Sequence, residues 1–324
     1  MDIKAAPPSP TQIIKSPGGP IIPKPVKFLI GGTAGMSATL FVHPLDLVKN
    51  RMQLSGEGGQ KRLYSSTFNT FQQIARQEGI LKLYSGLSAG LLRQATYTTV
   101  RLGVYTLLFE KFSKDGKPPN FAEKTAIAMT AGAIGAFFGN PAEISLIRMC
   151  ADGRLPIAER RGYKSVIDAL VRMAKEEGIL TLWRGVGTTV SRAIVVNAAQ
   201  LATYSQAKQL LIQNGKYFGD NITTHFVASM ISGLATTLAS MPIDMAKTRI
   251  QNMKVINGIP EYKGAIDVMS KVIKNEGLFS LWKGFTPYYA RVGPHTVLMF
   301  VFMEQFNRMY AKYILKDDRK VASL

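Results

Sequence analysis

Pro44-Leu-Asp46-Leu-Val-Lys49-Asn-Arg51-Met-Gln53 is the stretch of this 324-residue chain that predicts its fold, because the same pattern returns twice. The later copies run from Pro141 to Cys150 and from Pro242 to Gln251. A second signature, an acid followed by glycine, comes after each copy, at Glu78-Gly79, Glu177-Gly178 and Glu276-Gly277. Two signatures in three matched copies predict three structural repeats.

Each repeat opens with a long apolar segment. No Asp, Glu, Lys or Arg occurs between residues 27 and 46, 124 and 143, or 220 and 244. As helices these segments are long enough to cross a hydrocarbon core of roughly 30 Å. Small residues four apart let membrane helices approach closely. They stand at matching positions in all three segments: Gly31 and Gly35, Ala128 and Gly132, Ser229 and Gly233.

A second apolar segment follows in each repeat, near residues 86–112, 185–212 and 284–312, and it contains isolated charges. Charges inside spanning helices are costly unless they face a bundle interior or a water-filled cavity. The basic stretch between the two spans has a helical period, which suits a membrane surface. We therefore predict an all-α membrane protein with six transmembrane helices in three pseudo-symmetric repeats. They surround a central cavity, and short surface helices lie on one side.

The repeats are predicted at residues 26–117, 118–217 and 218–314, with a C-terminal tail at 315–324. Residues 1–25 hold seven prolines. Proline removes the hydrogen bonds that an amphipathic targeting helix needs, so we expect a disordered or extended tail. The motif prolines are expected to kink the first helix of each repeat, because proline frees a helix carbonyl.

The composition narrows the class of protein. A formal net charge of +19 fits nucleic acid, an anionic membrane surface or an anionic substrate, but three uncharged spans disfavour nucleic acid. The single cysteine excludes a disulfide framework. Three distant histidines show no ligand spacing, so we expect no metal or other cofactor. Gly86-Leu-Ser88-Ala-Gly90 fits a nucleophile pattern, but no strand is predicted before it, and we expect no enzyme.

The triplicated pattern P-x-[DE]-x-x-[KR]-x-[KR] resembles the mitochondrial carrier family over residues 26 to about 314. The resemblance implies a multi-pass antiporter in the mitochondrial inner membrane, working by alternating access, with a monomer as the functional unit. It also implies structural cardiolipin at three motifs, with Tyr84-Ser85-Gly86 as a weaker fourth because it lacks a basic residue. The three are Trp183-Arg184-Gly185, Trp282-Lys283-Gly284 and Tyr262-Lys263-Gly264.

The resemblance further implies a matrix gate, in which the motif acid of one repeat pairs with the motif base of the next. Glu143 should pair with Lys247, and Asp244 with Lys49. Asp46 should meet position 146, which is a leucine, so one ion pair is missing from the pattern. Arg51 and Arg148 are candidates to compensate. Gln53 and Gln251 match the glutamine braces of the family, and Cys150 breaks that position in the second repeat.

A cytoplasmic gate is implied at the far ends of the second helices. The family pattern [FY]-[DE]-x-x-[KR] is poorly kept there. The matching residues include Tyr105, Tyr204, Lys208 and Glu304. Of these, only Lys208 and Glu304 could form an ion pair, so this gate is expected to be weaker than the matrix gate.

Three symmetry-related arginines predict the substrate site. Arg93, Arg192 and Arg291 each come seven residues after the glycine that opens the second span. At about 1.5 Å per residue they lie roughly 10 Å into the helices. Arginine binds carboxylates through a planar fork. Tyr97 and Asn197 could meet a keto or hydroxyl oxygen of the substrate, and Arg101 would attract anions.

The residues that follow the arginines are Gln94, Ala193 and Val292. None offers a carboxylate for a substrate ammonium group, which favours a plain dianion. The sequence thus predicts an antiporter of small dicarboxylates. Dicarboxylate/phosphate exchange and proton leak remain open as alternatives within the same fold.

Overall fold

The computed structural model describes residues 23–57, 64, 66–113, 118–214, 222–253, 255–256 and 259–315. Six long helices are α1 (Lys24–Leu54), α3 (Leu87–Phe112), α4 (Phe121–Asp152), α6 (Val186–Asn214), α7 (Ile222–Asn252) and α9 (Phe285–Tyr313). Three short helices are α2 (Thr67–Gln77), α5 (Val166–Glu176) and α8 (Ala265–Glu276). A two-residue antiparallel hairpin joins β1 (Val255–Ile256) to β2 (Ile259–Pro260). This hairpin adds strand to a fold that was predicted to be entirely helical.

The first helix begins at Lys24, two residues before the predicted start of repeat 1. Pro25 lies in its first turn, where the missing N–H costs no intrahelical hydrogen bond. The rest of the predicted N-terminal tail and residues 316–324 lie outside the described residues. The motif prolines lie inside the long helices, as the sequence indicates: Pro44 in α1, Pro141 in α4 and Pro242 in α7.

The acid-glycine signature marks a sharp change of direction in each repeat. The glycine after the acid, at 79, 178 and 277, has φ of 93°, 91° and 89°. A one-turn 3-10 helix follows, at Ile80–Tyr84, Ile179–Trp183 and Leu278–Trp282. A second glycine, at 86, 185 and 284, then opens the next long helix at φ of 83°, 76° and 85°. Residues other than glycine rarely adopt these backbone φ values, which explains why a glycine recurs at both positions.

The six long helices close into a ring. The most extensive contacts between repeats join α3 to α4, α6 to α7, and α9 to α1. Within each repeat, the second small residue of the predicted pair faces the neighbouring long helix. A methyl group added to Gly35 would meet the side chain of Gln94, one at Gly132 would meet Asn197, and one at Gly233 would approach Val292. Close packing at small residues therefore occurs where the pattern predicts it.

Hydropathy by itself would miss most of this architecture. Among the described residues, two segments are long and apolar enough to pass as membrane spans, Val26–Leu54 and Ile179–Gln213. Helices that line a polar interior carry charged and hydroxyl side chains on one face, which lowers their mean hydropathy.

The short helices α2, α5 and α8 lie at one end of the bundle, next to the C-terminal ends of α1, α4 and α7. We call this end the matrix end, following the resemblance. A buried apolar cluster holds it together, in which Leu47, Leu146 and Cys150 of the long helices pack with Ile74 of α2 and Met173 of α5.

Candidate substrate site and gates

Two predicted matrix-gate ion pairs are present. Lys49 Nζ lies 2.7 Å from Asp244 Oδ2, and Lys247 Nζ lies 2.5 Å from Glu143 Oε1. Each pair joins two different repeats. The kink at the motif proline, two residues before each acid, is expected to turn this part of the odd helices toward the axis.

The third motif acid has a partner that the sequence analysis missed. Asp46 Oδ1 lies 2.9 Å from Arg291 Nε, so an arginine of the predicted substrate triad occupies the position that Leu146 leaves without a base. Arg51 and Arg148 do not compensate, because both guanidiniums pair with glutamates elsewhere. The triad and the gate therefore share a residue.

A second triad arginine is also engaged in the gate. Arg192 forms an ion pair with Asp244, which already accepts Lys49. Its Nη2 donates a hydrogen bond of 2.8 Å to the hydroxyl of Tyr288. Lys49 Nζ stands 4.2 Å from the centre of the same tyrosine ring. Tyr288 thus links Arg192 of the predicted substrate triad to the gate residue Lys49. The sequence patterns did not point to this tyrosine.

The remaining arginine of the triad is differently placed. Within the described part of the chain, Arg93 makes no ion pair. It lines a small cavity of about 70 Å³ together with Tyr97, Arg192, Glu143 and Lys247. Two triad arginines are thus held by motif acids, and the third faces a cavity beside a gate pair.

The other predicted substrate residues divide into two groups. The Arg101 guanidinium lies 5.9 Å from the centre of the Tyr97 ring, and both residues pack against Gly135 of α4. Asn197 donates from Nδ2 to the Ala193 carbonyl at 2.7 Å and lies against Gly132. Asn197 is therefore at the α4–α6 packing interface and not among the residues that line the cavity.

The predicted glutamine braces connect repeats through neutral partners. Gln53 accepts a hydrogen bond of 2.8 Å from Thr248. Gln251 donates to Asn140 at 3.0 Å and to Thr189 at 3.2 Å. Both glutamines join adjacent repeats, as braces should, although the recorded partners are not the ion pairs themselves.

Lys208 and Glu304, the two residues of the cytoplasmic gate that could form an ion pair, do not pair with each other among the described side chains. Glu304 instead binds Arg308 of its own helix at 2.5 Å. Lys208 Nζ lies 3.5 Å from Nε2 of His225, whose Nδ1 is 2.6 Å from the hydroxyl of Tyr204.

Tyr105, the remaining predicted residue of this gate, stacks on Phe109 of its own helix.

A second set of matrix-end ion pairs was not predicted. The last base of each motif copy is buried and binds the glutamate of the acid-glycine signature in its own repeat. The pairs are Arg51 with Glu78, Arg148 with Glu177 and Arg249 with Glu276. The sequence held a signal for them, since the partners are separated by 27, 29 and 27 residues.

The same three arginines also reach the next repeat. Each donates from Nε to a backbone carbonyl: Arg51 to Cys150 at 3.1 Å, Arg148 to Gln251 at 3.1 Å, and Arg249 to Gln53 at 3.4 Å. Repeat 1 thus binds repeat 2, repeat 2 binds repeat 3, and repeat 3 binds repeat 1. Burial acts to raise the pKa of Glu177, but the hydrogen bond and charge of Arg148 outweigh it, and the pKa lies below its ordinary value.

The predicted lipid motifs are not equivalent. A groove of about 620 Å³ runs between the starts of α6 and α8, lined by Arg184, Gly185, Tyr262, Lys263 and Gly264. Two predicted motifs face each other across it. In the third motif, Trp282-Lys283-Gly284, the lysine binds other residues of the protein.

Lys283 is the lysine in question. Its side chain is buried, binds Glu276 and donates to the carbonyl of Ser55 at 3.2 Å. The Lys283 side chain is therefore engaged within the protein, and lipid binding at the Trp282-Lys283-Gly284 motif stays a prediction.

The sequence matches the family described as mitochondrial carrier protein three times, over residues 23–116, 117–215 and 219–314. The chain belongs to the mitochondrial carrier family. As a mitochondrial carrier it is a transporter and not an enzyme, and its six long helices are the transmembrane helices of a multi-pass protein of the inner mitochondrial membrane.

Several mitochondrial carriers are similar to it along most of their length. The human mitochondrial 2-oxoglutarate/malate carrier protein is 65% identical over 294 residues, which is 90% of this chain and 93% of the relative. The Caenorhabditis elegans protein of the same name is 64% identical over 297 residues, covering 92% and 96%. Mitochondrial uncoupling protein 5 of Arabidopsis thaliana is 40% identical over 307 residues, covering 88% and 98%.

Proposed function

We propose that this carrier exchanges 2-oxoglutarate for malate, or related small dicarboxylates, by alternating access. The observation that carries the proposal is the state of the arginine triad. Arg291 and Arg192 are bound to the gate acids Asp46 and Asp244, and Arg93 has no ion-pair partner among the residues that the structure describes. The identity to 2-oxoglutarate/malate carriers supports the choice of substrate.

The geometry suggests how a dianion would open the matrix gate. One carboxylate would bind Arg93, and the other would compete with Asp46 or Asp244 for Arg291 or Arg192. Charge-assisted bonds of arginine to carboxylate are of similar strength on both sides of this exchange. In this exchange the substrate carboxylate replaces the motif acid on the arginine, so the buried guanidinium keeps a partner while the gate loosens. Binding and opening are then the same event.

Exchange in proteoliposomes tests the proposal. Liposomes loaded with malate should take up external labelled 2-oxoglutarate with saturation, and empty liposomes should not. Absence of malate-driven uptake in folded protein would overturn the proposal. Phosphate-loaded liposomes and a pH-sensitive internal dye test the two alternatives, dicarboxylate/phosphate exchange and proton leak. The 40% identity to an uncoupling protein is the reason to include the dye.

We also propose cardiolipin as a structural partner in the groove between α6 and α8, and a monomer as the functional unit. Lys263 and Arg184, which also pairs with Glu177 at 3.3 Å, line the groove with positive charge. Gly185 and Gly264 stand where the helices begin, with N–H groups that suit a phosphate. Added cardiolipin should raise the melting temperature of the detergent-solubilised protein. Lys263→Ala should reduce that rise. An equal rise in the variant would argue against this site.

A further inference from the structure

The interface between repeats 1 and 2 lacks a gate ion pair at Leu146, but a second contact crosses it closer to the matrix. Arg154 follows α4 directly and reaches the end of α1. Its Nη2 lies 2.7 Å from Glu57 Oε2, and its Nη1 donates to the carbonyl of Leu54 at 2.5 Å. Each side chain of the pair is 10% exposed.

Glu57 and Arg154 occupy the same repeat position, thirteen residues after Pro44 and Pro141 respectively. The third residue at this position is Val255. An acid, a base and an apolar residue at one position allow an ion pair between repeats 1 and 2, and exclude one at the other two interfaces. The interfaces that lack this pair are the two that have Glu143–Lys247 and Asp244–Lys49.

The segment around Arg154 is held in place by bonds to its own helix and to repeat 3. The carboxylate of Asp152 accepts hydrogen bonds from the backbone N–H groups of Arg161 and Gly162, at 2.6 and 2.8 Å. The Arg161 guanidinium in turn donates to the carbonyl of Asn252 at 2.9 Å.

Glu57 also touches the third repeat, because the Tyr262 hydroxyl donates to its Oε1 at 3.4 Å. The ends of α1, α4 and α7 therefore meet around one buried ion pair.

Burial of the Glu57 carboxylate offsets part of the stabilisation that its ion pair with Arg154 provides. Burial raises the pKa of Glu57 above its ordinary value, although the charges of Arg154 and Arg249 act in the other direction. A buried carboxylate in this condition regains hydration when its surroundings open. This is the behaviour required of a contact that has to form and break in each cycle.

We propose that Arg154 and Glu57 are positioning residues of the transport cycle: their ion pair holds repeats 1 and 2 together at the matrix end, in place of the pair that Leu146 cannot make. The pair closes with the gate and breaks when the carrier opens to the matrix. The inference rests on the proposed function only for the requirement that the carrier opens to the matrix.

The native cysteine reports on this interface directly. Cys150 is the only cysteine of the chain and is buried. Its Sγ lies 3.5 Å from the carbonyl of Ser85 in repeat 1, and its side chain lies against Gly86. Separation of repeats 1 and 2 would expose the thiol. The rate of maleimide labelling of the full-length reconstituted carrier, without substrate, therefore measures opening of this interface alone.

Arg154→Ala and Glu57→Gln should each raise the labelling rate by about tenfold or more, the loss expected for one hydrogen bond between charged groups. Arg154→Lys keeps the charge and should restore most of the protection. Arg160→Ala is the matched control, because its guanidinium binds carbonyls of its own segment, at Leu155 and Gly153. It should label at the rate of the unmodified carrier.

Unchanged labelling in Glu57→Gln, or an equal rise in Arg160→Ala, overturns the proposal. If Arg154→Ala melts below the assay temperature, Glu57→Gln decides, since it is nearly isosteric. Labelling does not depend on substrate identity. A carrier without 2-oxoglutarate/malate exchange but with the expected labelling pattern would refute the proposed substrate and leave the ion-pair role standing.

Discussion

Arg291 Nε lies 2.9 Å from Asp46 Oδ1, so a single guanidinium belongs both to the predicted substrate site and to the matrix gate. In the other two repeats a motif lysine fills the gate position. In repeat 2 the lysine position holds Leu146, and Arg291 of the substrate triad forms the ion pair with Asp46 instead. Release of Arg291 to a substrate carboxylate would leave Asp46 without this partner, so we expect substrate binding to weaken the contact between α9 and α1 directly.

Leu146→Lys should slow exchange. The new base competes for Asp46 and adds an ion pair of about 1 kcal/mol to the closed gate, corresponding to about a fivefold lower rate if that pair must break. Initial exchange rates at saturating substrate measure the effect. Leu146→Met keeps the apolar volume and should exchange normally. A lysine variant as fast as the unmodified carrier would show that Arg291 keeps Asp46 to itself.

Arg192→Ala should abolish exchange while the protein remains folded. It removes one of the three carboxylate forks and also a partner of Asp244, which still retains Lys49. Losing a charged hydrogen-bonding group from a binding site costs about 1.5–3 kcal/mol, or at least tenfold in affinity. Proteoliposome uptake and a melting curve measure the two outcomes. Arg172→Ala, which removes a surface ion pair on α5, serves as the control, and transport by Arg192→Ala at the same rate as this control would remove Arg192 from the site.

Tyr288→Phe should change the apparent affinity for substrate by about tenfold. The substitution removes the hydroxyl that accepts from Arg192 and keeps the ring under Lys49. A hydrogen bond to a charged group contributes about 1.5 kcal/mol at the lower end of its range. The neighbouring Tyr289→Phe is the control, because the recorded contact of Tyr289 is stacking on Phe285. If both variants shift the KM equally, the Arg192 contact is not the cause.

Gly153→Ala should destabilise the carrier by about 2 kcal/mol or more. A methyl group there would clash with Arg51 Nη2 and Glu78 Oε2, where the buried ion pair leaves no space. The glycine has φ of −65°, so the cost comes from crowding and not from the backbone. Gly187→Ala, with nothing within 4 Å of its added methyl, should be neutral or stabilising. Melting temperatures in detergent compare the two.

Acid should weaken the Arg148–Glu177 pair. Because the folded pKa of Glu177 is lowered, its stabilisation is complete above the ordinary value of about 4.3 and is lost as the pH falls through the lowered pKa. Glu177→Gln should therefore lower the melting temperature near neutral pH and reduce its further fall below about pH 4.3. The adjacent Glu176→Gln changes only an exposed pair with Arg172 and should follow the unmodified carrier. Parallel curves for Glu177→Gln and the unmodified carrier would contradict the assignment.

Sequence patterns predicted the features that repeat. The repeated signatures were enough for the six long helices and the proline positions, because a threefold pattern constrains each copy by the other two. The two gate pairs were implied by the resemblance to the family. The arginine triad also follows from spacing alone. Its partners do not: Arg291 with Asp46 and Arg192 with Asp244 join residues that share no motif, and their meeting depends on how far each helix tilts toward the axis.

Contacts that the repeats do not share were not predictable from the pattern. Glu304, which the family pattern would allow to pair with Lys208, binds Arg308 of its own helix. Lys283 belongs to a predicted lipid motif, but its side chain binds a glutamate at the end of α8. Asn197 was assigned by its distance from Arg192 along the helix, and the helix turns it toward Gly132.

Three buried arginines donate to the carbonyls of Cys150, Gln251 and Gln53, and these contacts link the three repeats in a closed ring. In an open chain of contacts, one end can loosen while the other stays fixed. In a cycle, any repeat that tilts strains both of its neighbours at once, so partial opening is penalised and the three repeats are expected to move in one cooperative step. If the three repeats move together around one central site, each transition carries one substrate molecule across the membrane.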